Sequence, residues 1–258
     1  MIGTFIQGGL GNQLFQIAAA YAQALRLETE FYVVEGQHHH EGQGNNISTY
    51  TDNILRKIKF QPFSSFESCG IYHEKEHSYT PFPEADGLYF VGYFQSEKYF
   101  EDCKPQIKTL FEMREEDEKI IYEKYPFLKD ERVASLHVRR GDYLKFSTIH
   151  PVLSSDYYKE ALERVRDRSK IMIFSDDIEW CKEKFEGDDL VFADLPEDYL
   201  DLYAMSKCYH HIVCNSSFSW WGAWLSNTKG KIIAPKTWFG PEGPAQSDDI
   251  VPDTWEKI

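Results

Sequence analysis

Long apolar runs are missing from this chain. No stretch approaches 18 apolar residues, so no membrane-spanning helix is expected, although a peripheral membrane association stays open. The start, MIGTFIQGG, lacks the basic n-region and apolar core of a signal peptide. Positive charge is scarce too: 28 Lys and Arg against 42 Asp and Glu leave a net charge of −14. That excludes a nucleic-acid partner, which needs clustered cations, but not a local basic pocket for one small anion. Five cysteines, at 69, 103, 181, 208 and 214, form no CxxC pair and leave an odd count, so no disulfide framework is expected. The expectation is a cytoplasmic protein with reduced thiols. No internal repeat of 20–50 residues appears.

What is present is a β/α alternation over 258 residues, enough for one large domain or two smaller ones. GTFIQGG (3–9) reads as a strand running into a glycine turn. Residues 12–28 follow with Leu14, Ile17, Ala18, Tyr21, Ala22 and Leu25 at helical spacing, Asn12 fitting the N-cap. FYVVE (31–35) is a second strand. Residues 36–87 have little periodicity beyond a possible helix at 51–58. His38, His39 and His40 within them are read as part of a polar loop, since adjacent imidazoles splay apart and lack a partner at i+4. LYFVGYFQ (88–95) is a strand, EKYFEDCKPQIKTLF a helix that breaks at Pro105, and 114–125 a helix with an acidic first turn.

From 133 onward the alternation is clean. Strands are expected at 133–139, 170–175, 190–194, 211–216 and 231–235, with helices at 154–167, 176–185, 196–208 and 217–227. Continuous apolar strands separated by helices imply a parallel sheet covered on both faces. PFLKDE suggests a boundary near 130. In such sheets ligands bind beyond the carboxyl ends of the strands, which singles out four loops: GGLGNQ, HVRRGDY, FSDD and NSSFSWW.

Each loop has a bland reading beside a functional one. GGLGNQ (8–13) is a tight turn, or a place where backbone amides approach a ligand at a helix N-terminus. It is neither a dinucleotide fingerprint, because Leu14 stands where a third glycine belongs, nor a P-loop. In HVRRGDY an arginine fork suits phosphate geometry, while an Arg140–Asp142 pair would merely hold the loop. In NSSFSWWGAWL, Ser216 or Ser217 caps a helix or joins its amides in an anion site, and Trp220, Trp221 and Trp224 read as core. Asp176 of FSDD caps a helix or meets a nucleobase amino group. Together the loops describe a pocket for a nucleotide diphosphate. The DxD motif that would hold a divalent metal is absent, so an Arg and a helix terminus would stabilise the leaving diphosphate.

GGLGNQLFQIAAAYAQAL, HVRRGDY, FSDD and NSSFSWWGAWL, in that order across residues 8–225, resemble the motifs of the α-1,2-fucosyltransferases, glycosyltransferase family eleven. The resemblance implies an α/β fold of GT-B type: two Rossmann-like halves with the active site in the cleft between them. Here these would be 1–130 on the acceptor side and 131–258 on the GDP-sugar side. It implies GDP-β-L-fucose as donor, the 2-hydroxyl of a terminal galactoside on a glycan as acceptor, inversion at the anomeric carbon, and no cofactor or obligatory metal. Carried onto this sequence, Arg139 would hold the β-phosphate and His137 would lie near the nucleotide. Ser216, Ser217 and Phe218 would line the pyrophosphate and fucose, and Asp176 the guanine. Gly9, Gly11, Ser175 and Asn215 complete the expected donor-binding set, and Asn12 faces the reacting centre. The family pattern names no undisputed general base; Asp142 is the candidate because it shares the arginine loop, where it could equally only orient that loop. Transfer of another GDP-sugar, or a non-catalytic nucleotide- or glycan-binding module, are the alternatives.

Overall fold

The computed structural model describes residues 1–35 and 45–258; His38–His40 lie outside them. The chain divides into two units, Met1–Glu112 with Pro244–Pro252, and Met113–Gly243 with Asp253–Ile258.

The first unit contains β1 (Ile2–Thr4), α1 (Leu10–Arg26), β2 (Phe31–Val34), β3 (Phe60–Gln61), β4 (Gly70–His73), β5 (Leu88–Val91) and α2 (Lys104–Leu110). Its strands form a parallel sheet in the order β3-β2-β1-β5-β4. α1 is buried on nearly all sides, with Leu14, Phe15, Ile17 and Ala18 wholly inaccessible, each large apolar side chain worth roughly 1.5–3 kcal/mol on burial. It starts two residues earlier than its periodicity suggests. Extended Gly9 precedes Leu10 without any side-chain cap, and Asn12 lies inside the first turn. At 51–58 turns replace the expected helix: the Asn53 side chain bonds Thr49 O and Ile54 N, local bonds that compete with a helical ladder. Pro105 starts α2 rather than breaking it, since the first turn needs no donor there. Residues 244–252 return to this unit through Asp249, which accepts from Tyr79 N at 2.9 Å and Lys98 Nζ at 2.8 Å.

The second unit contains α3 (Glu115–Lys124), β6 (Val133–Val138), α4 (Ser155–Arg164), β7 (Lys170–Ser175), α5 (Ile178–Lys184), β8 (Leu190–Phe192), α6 (Asp198–Ser206), β9 (His210–Ile212), α7 (Ser217–Leu225), β10 (Ile232–Ala234) and β11 (Glu256–Lys257). All its strand pairs are parallel, in the order β8-β7-β6-β9-β10-β11. Counted along the chain this is 3-2-1-4-5-6, the doubly wound Rossmann order. β6 is buried throughout. Trp220 and Trp221 are inaccessible and Trp224 is 3% exposed, with ring centroids 5.1–5.9 Å apart, so this cluster is core.

The division between the units falls at 112/113, ahead of the composition break near 130. α3 belongs with α6: Arg114 donates to buried Asp117 at 2.7 Å, and the Tyr199 hydroxyl donates to the same carboxylate at 3.1 Å. Among the described residues no helix is long and apolar enough to cross a membrane, and all five cysteines carry free thiols.

Candidate functional site

In a parallel sheet of this order the chain reverses direction between β6 and β9, and the loops leaving those strands part to open a crevice. The register pairs Val138 with Ser175, so Arg139 and Asp176 leave adjacent strand ends side by side. Arg139 Nε and Nη2 both donate to Asp142 Oδ1, at 3.0 and 2.7 Å, and Nε lies 3.3 Å from Asp176 Oδ2. Burial opposes the guanidinium's charge, but Asp176 and Asp142 more than offset it and raise its pKa. The pairing orients the fork. Its side edge is spent on carboxylate, and the end formed by Nη1 and the second Nη2 hydrogen points elsewhere.

Arg140 turns the other way. Its Nε donates to Asp177 Oδ2 at 3.0 Å, and its guanidinium lies 4.0 Å from the Trp180 ring centre. The expected Arg140–Asp142 pair is therefore replaced by Arg139–Asp142 and Arg140–Asp177. Asp176 braces the same loop, accepting from Arg140 N at 2.9 Å, so a guanine would have to share oxygens already engaged. Gly141 is what admits it: a Cβ there would stand 2.4 Å from Asp176 Oδ2. Asp177, not Asp176, caps α5, and Ser175 Oγ accepts from Asp177 N at 2.9 Å.

Across the crevice, Ser216 caps α7 by accepting from Phe218 N at 3.4 Å, and Ser217 is the first helical residue. The first-turn amides of α7 point out of the helix end toward any anion held there. Phe218 packs on His137 with centroids 5.6 Å apart. His137 is buried, its Nδ1 3.0 Å from Cys214 Sγ. Burial, with Arg139 nearby, pushes its pKa down to about 3, and burial pushes the Cys214 thiol up to about 12. Asn215 takes a structural part: its Nδ2 donates to Pro151 O and Trp238 O at 2.9 and 3.1 Å, and its own carbonyl accepts from Tyr143 OH at 2.8 Å. Tyr143 thus ties the two crevice loops together, a role the sequence did not suggest.

The first sheet reverses between β1 and β5. Gly8 there has φ +78°, and a Cβ on it would stand 2.6 Å from Asn12 Nδ2. Gly9 O accepts from Asn12 N and Gln13 N at 2.9 and 3.1 Å, and Gly11 lies buried within the first turn. Gln16 clasps both the N–H and the carbonyl of Gln7, at 2.9 and 3.1 Å, while Gln13 Nε2 donates to Gly8 O at 2.9 Å. Asn12 Oδ1 does not cap the helix. It accepts from Gln95 Nε2 at 2.7 Å, from the loop after β5. Among the described residues no group of three or more His, Cys, Asp or Glu is arranged to hold a metal ion.

Similarity to known proteins bears on this geometry. The chain is 31% identical to the Escherichia coli alpha-1,2-colitosyltransferase over 98% of its own length and 97% of that protein's. It is 26% identical to the mouse (Mus musculus) galactoside alpha-(1,2)-fucosyltransferase 2, covering 92% of this chain and 71% of the relative. Its fold resembles the crystal structure of the fucosyltransferase NodZ from Bradyrhizobium with a TM-score of 0.57 at 13% identity, over 95% of this chain and 96% of that one. That likeness places the two parallel-sheet units in the GT-B class. The model of Glycosyl transferase family 11 matches residues 48–258, which include both crevice loops of the second unit but not the Gly8–Gln13 turn. The chain is a glycosyltransferase and belongs to glycosyltransferase family 11.

Proposed function

We propose that the enzyme transfers L-fucose, or a closely related 6-deoxy sugar, from its GDP carrier to the 2-hydroxyl of a terminal galactoside, with inversion and without a metal. The observation that carries this reading is the placing of an oriented Arg139 fork and the α7 N-terminus on the two sides of one strand-order reversal. Arg139 offers its end-on edge to the β-phosphate, and the first-turn amides of α7 add donors without a mobile counter-ion. Arg139 and Arg140 stand against Asp142, Asp176 and Asp177, so the cluster carries a net −1. Anion binding here depends on directed N–H groups, not on excess charge. A structural neighbour supports the donor: the NodZ alpha-1,6-fucosyltransferase has been co-crystallised with GDP and soaked with GDP-fucose. Free thiols and the soluble GDP-sugar donor favour a cytoplasmic enzyme.

Asn12 serves the reacting centre, and Asp142, tied to Arg139, serves the loop. Charge develops on the departing diphosphate as the sugar–phosphate bond breaks, and Arg139 meets it there. The 31% identity to an alpha-1,2-colitosyltransferase favours a second donor, since colitose is fucose without its 3-hydroxyl. The test is transfer to lactose from GDP-fucose and GDP-colitose in parallel, each with and without EDTA. Product 2-linked to galactose, unchanged by chelation, is expected. Absence of transfer from both donors, or activity restored only by Mg²⁺ or Mn²⁺, would overturn the reading.

A further inference from the structure

The loop after β5 was unremarkable as sequence, yet its backbone is held in a rare conformation. Phe94 has φ +51°, a region bulky side chains rarely adopt and one that persists only where surroundings over-determine it. Two features hold it. The Phe94 ring is fully buried against Phe82, Phe90 and Tyr99, with centroids 5.4, 5.9 and 5.4 Å away. The Glu74 carboxylate accepts from Tyr93 N at 2.6 Å and Phe94 N at 2.8 Å. Gly92 makes room for the Glu74 side chain, because a Cβ there would stand 2.3 Å from Glu74 Cβ and 2.8 Å from its Oε2. Ser96 N closes the turn onto Phe94 O at 2.8 Å. Buried Gln95 leaves this turn and donates from Nε2 to Asn12 Oδ1 at 2.7 Å.

The Gln95 bond sets a polarity. An asparagine amide offers an acceptor at one end and two donors at the other. With Oδ1 taken by Gln95, Asn12 carries Nδ2 on its opposite side, over Gly8. We infer that Gln95 is a positioning residue: it fixes Asn12 as a hydrogen-bond donor toward the oxygens of the reacting centre, across the strand-order reversal of the first sheet. The inference rests on the reading that Asn12 serves that centre. The strained Phe94 turn aims Gln95, and the Glu74 carboxylate holds the turn. A donor at Asn12 complements an oxygen lone pair, whether on the incoming hydroxyl or on the sugar. An acceptor there could bond only the hydroxyl's hydrogen and would face an oxygen lone pair with another lone pair.

The experiment measures kcat and donor KM with GDP-fucose and lactose for Asn12→Ala, Gln95→Ala, Gln95→Glu and the Asn12→Ala/Gln95→Ala double variant, each checked for its melting temperature. Gln95→Ala is expected to lower kcat about five- to tenfold with donor KM within about twofold, positioning effects falling on turnover. The double variant should be no slower than Asn12→Ala alone, because residues that act as one unit are not additive. Gln95→Glu is the polarity test. A carboxylate accepts where the amide donated, so Asn12 must turn its Nδ2 inward, and kcat should fall at least as far as in Gln95→Ala. Near wild-type turnover in Gln95→Glu would overturn the inference, as would additive losses in the double variant. Normal kcat in Asn12→Ala would instead remove the underlying reading of Asn12.

Discussion

Each unit reverses its strand order once beside its first strand, and the two reversals are dressed in opposite chemistry. Between β1 and β5 the side chains are amides: Asn12, Gln13, Gln16 and Gln95 bond one another and the turn backbone. Between β6 and β9 they are charged: Arg139 and Arg140 against Asp142, Asp176 and Asp177. Uncharged amides fix directions at little desolvation cost and suit a hydroxyl. A guanidinium held by carboxylates stays ionised on partial burial and suits a phosphate. In the proposed reaction the same topological device would serve positioning in one unit and anion binding in the other.

The largest effect separating the two should come from Arg139→Ala. Losing a charge-assisted contact to the departing diphosphate costs about 2–4 kcal/mol, or about 10²–10³ in kcat/KM. GDP affinity measured by calorimetry should fall with it. Substitutions among the amides should leave GDP affinity unchanged. Near wild-type kcat/KM in a folded Arg139→Ala enzyme would erase the distinction.

Asp142→Ala sharpens the charged side. Asp142 accepts two bonds from Arg139, so its removal lets the fork wander but also deletes a charge that repels the ligand. These partly cancel, and GDP binding should weaken by about three- to tenfold, roughly 1 kcal/mol, with kcat at saturating donor nearly unchanged. A tenfold fall in kcat with unchanged GDP affinity would instead make Asp142 the general base.

Much of the second unit was legible because its strands are continuous apolar runs and α4, α5 and α7 start at side-chain caps, Ser154, Asp177 and Ser216. Ser216 and the buried tryptophans behave as their residue types suggest. Legibility ended where tertiary partners decide. The adjacent arginines announced a site, but which one meets Asp142 depends on the turn at Gly141, after strand alternation has ceased. Asn215 looked like a ligand residue beside two serines, yet Pro151 O and Trp238 O, distant in sequence, take its amide hydrogens. In the first unit, β3 and β4 escaped because they are short edge strands, and β4 is largely exposed. Asn12 reads as a cap in any local pattern. Only the folded loop after β5, with Phe94 at positive φ, turns its side chain to other work.

The smallest expected effect tests whether the charge of the second reversal is as fixed as its geometry implies. His137 is the last residue but one of β6, two residues before Arg139, and could supply a titrating second cation. Burial, followed by the Arg139 charge, holds its pKa near about 3. Its Cys214 partner, pushed to about 12 by burial, stays a thiol. The contact therefore joins two neutral groups at working pH, and the positive charge belongs to arginine alone. The donor pyrophosphate, substituted at both ends, does not itself titrate between about pH 5.5 and 8, so donor KM should stay flat there within about twofold. Tighter donor binding in acid with an inflection near 6.5 would mean that His137 protonates in the folded enzyme. The same depression has a stability consequence of definite sign. The folded pKa lies below the unfolded value, so the contribution is complete above about 6.5 and is lost as pH falls toward 3. His211, also buried and also lowered to about 3, adds in the same direction. Melting temperature should therefore fall between about pH 6.5 and 4 while donor KM, over the part of that range where the enzyme stays folded, does not move.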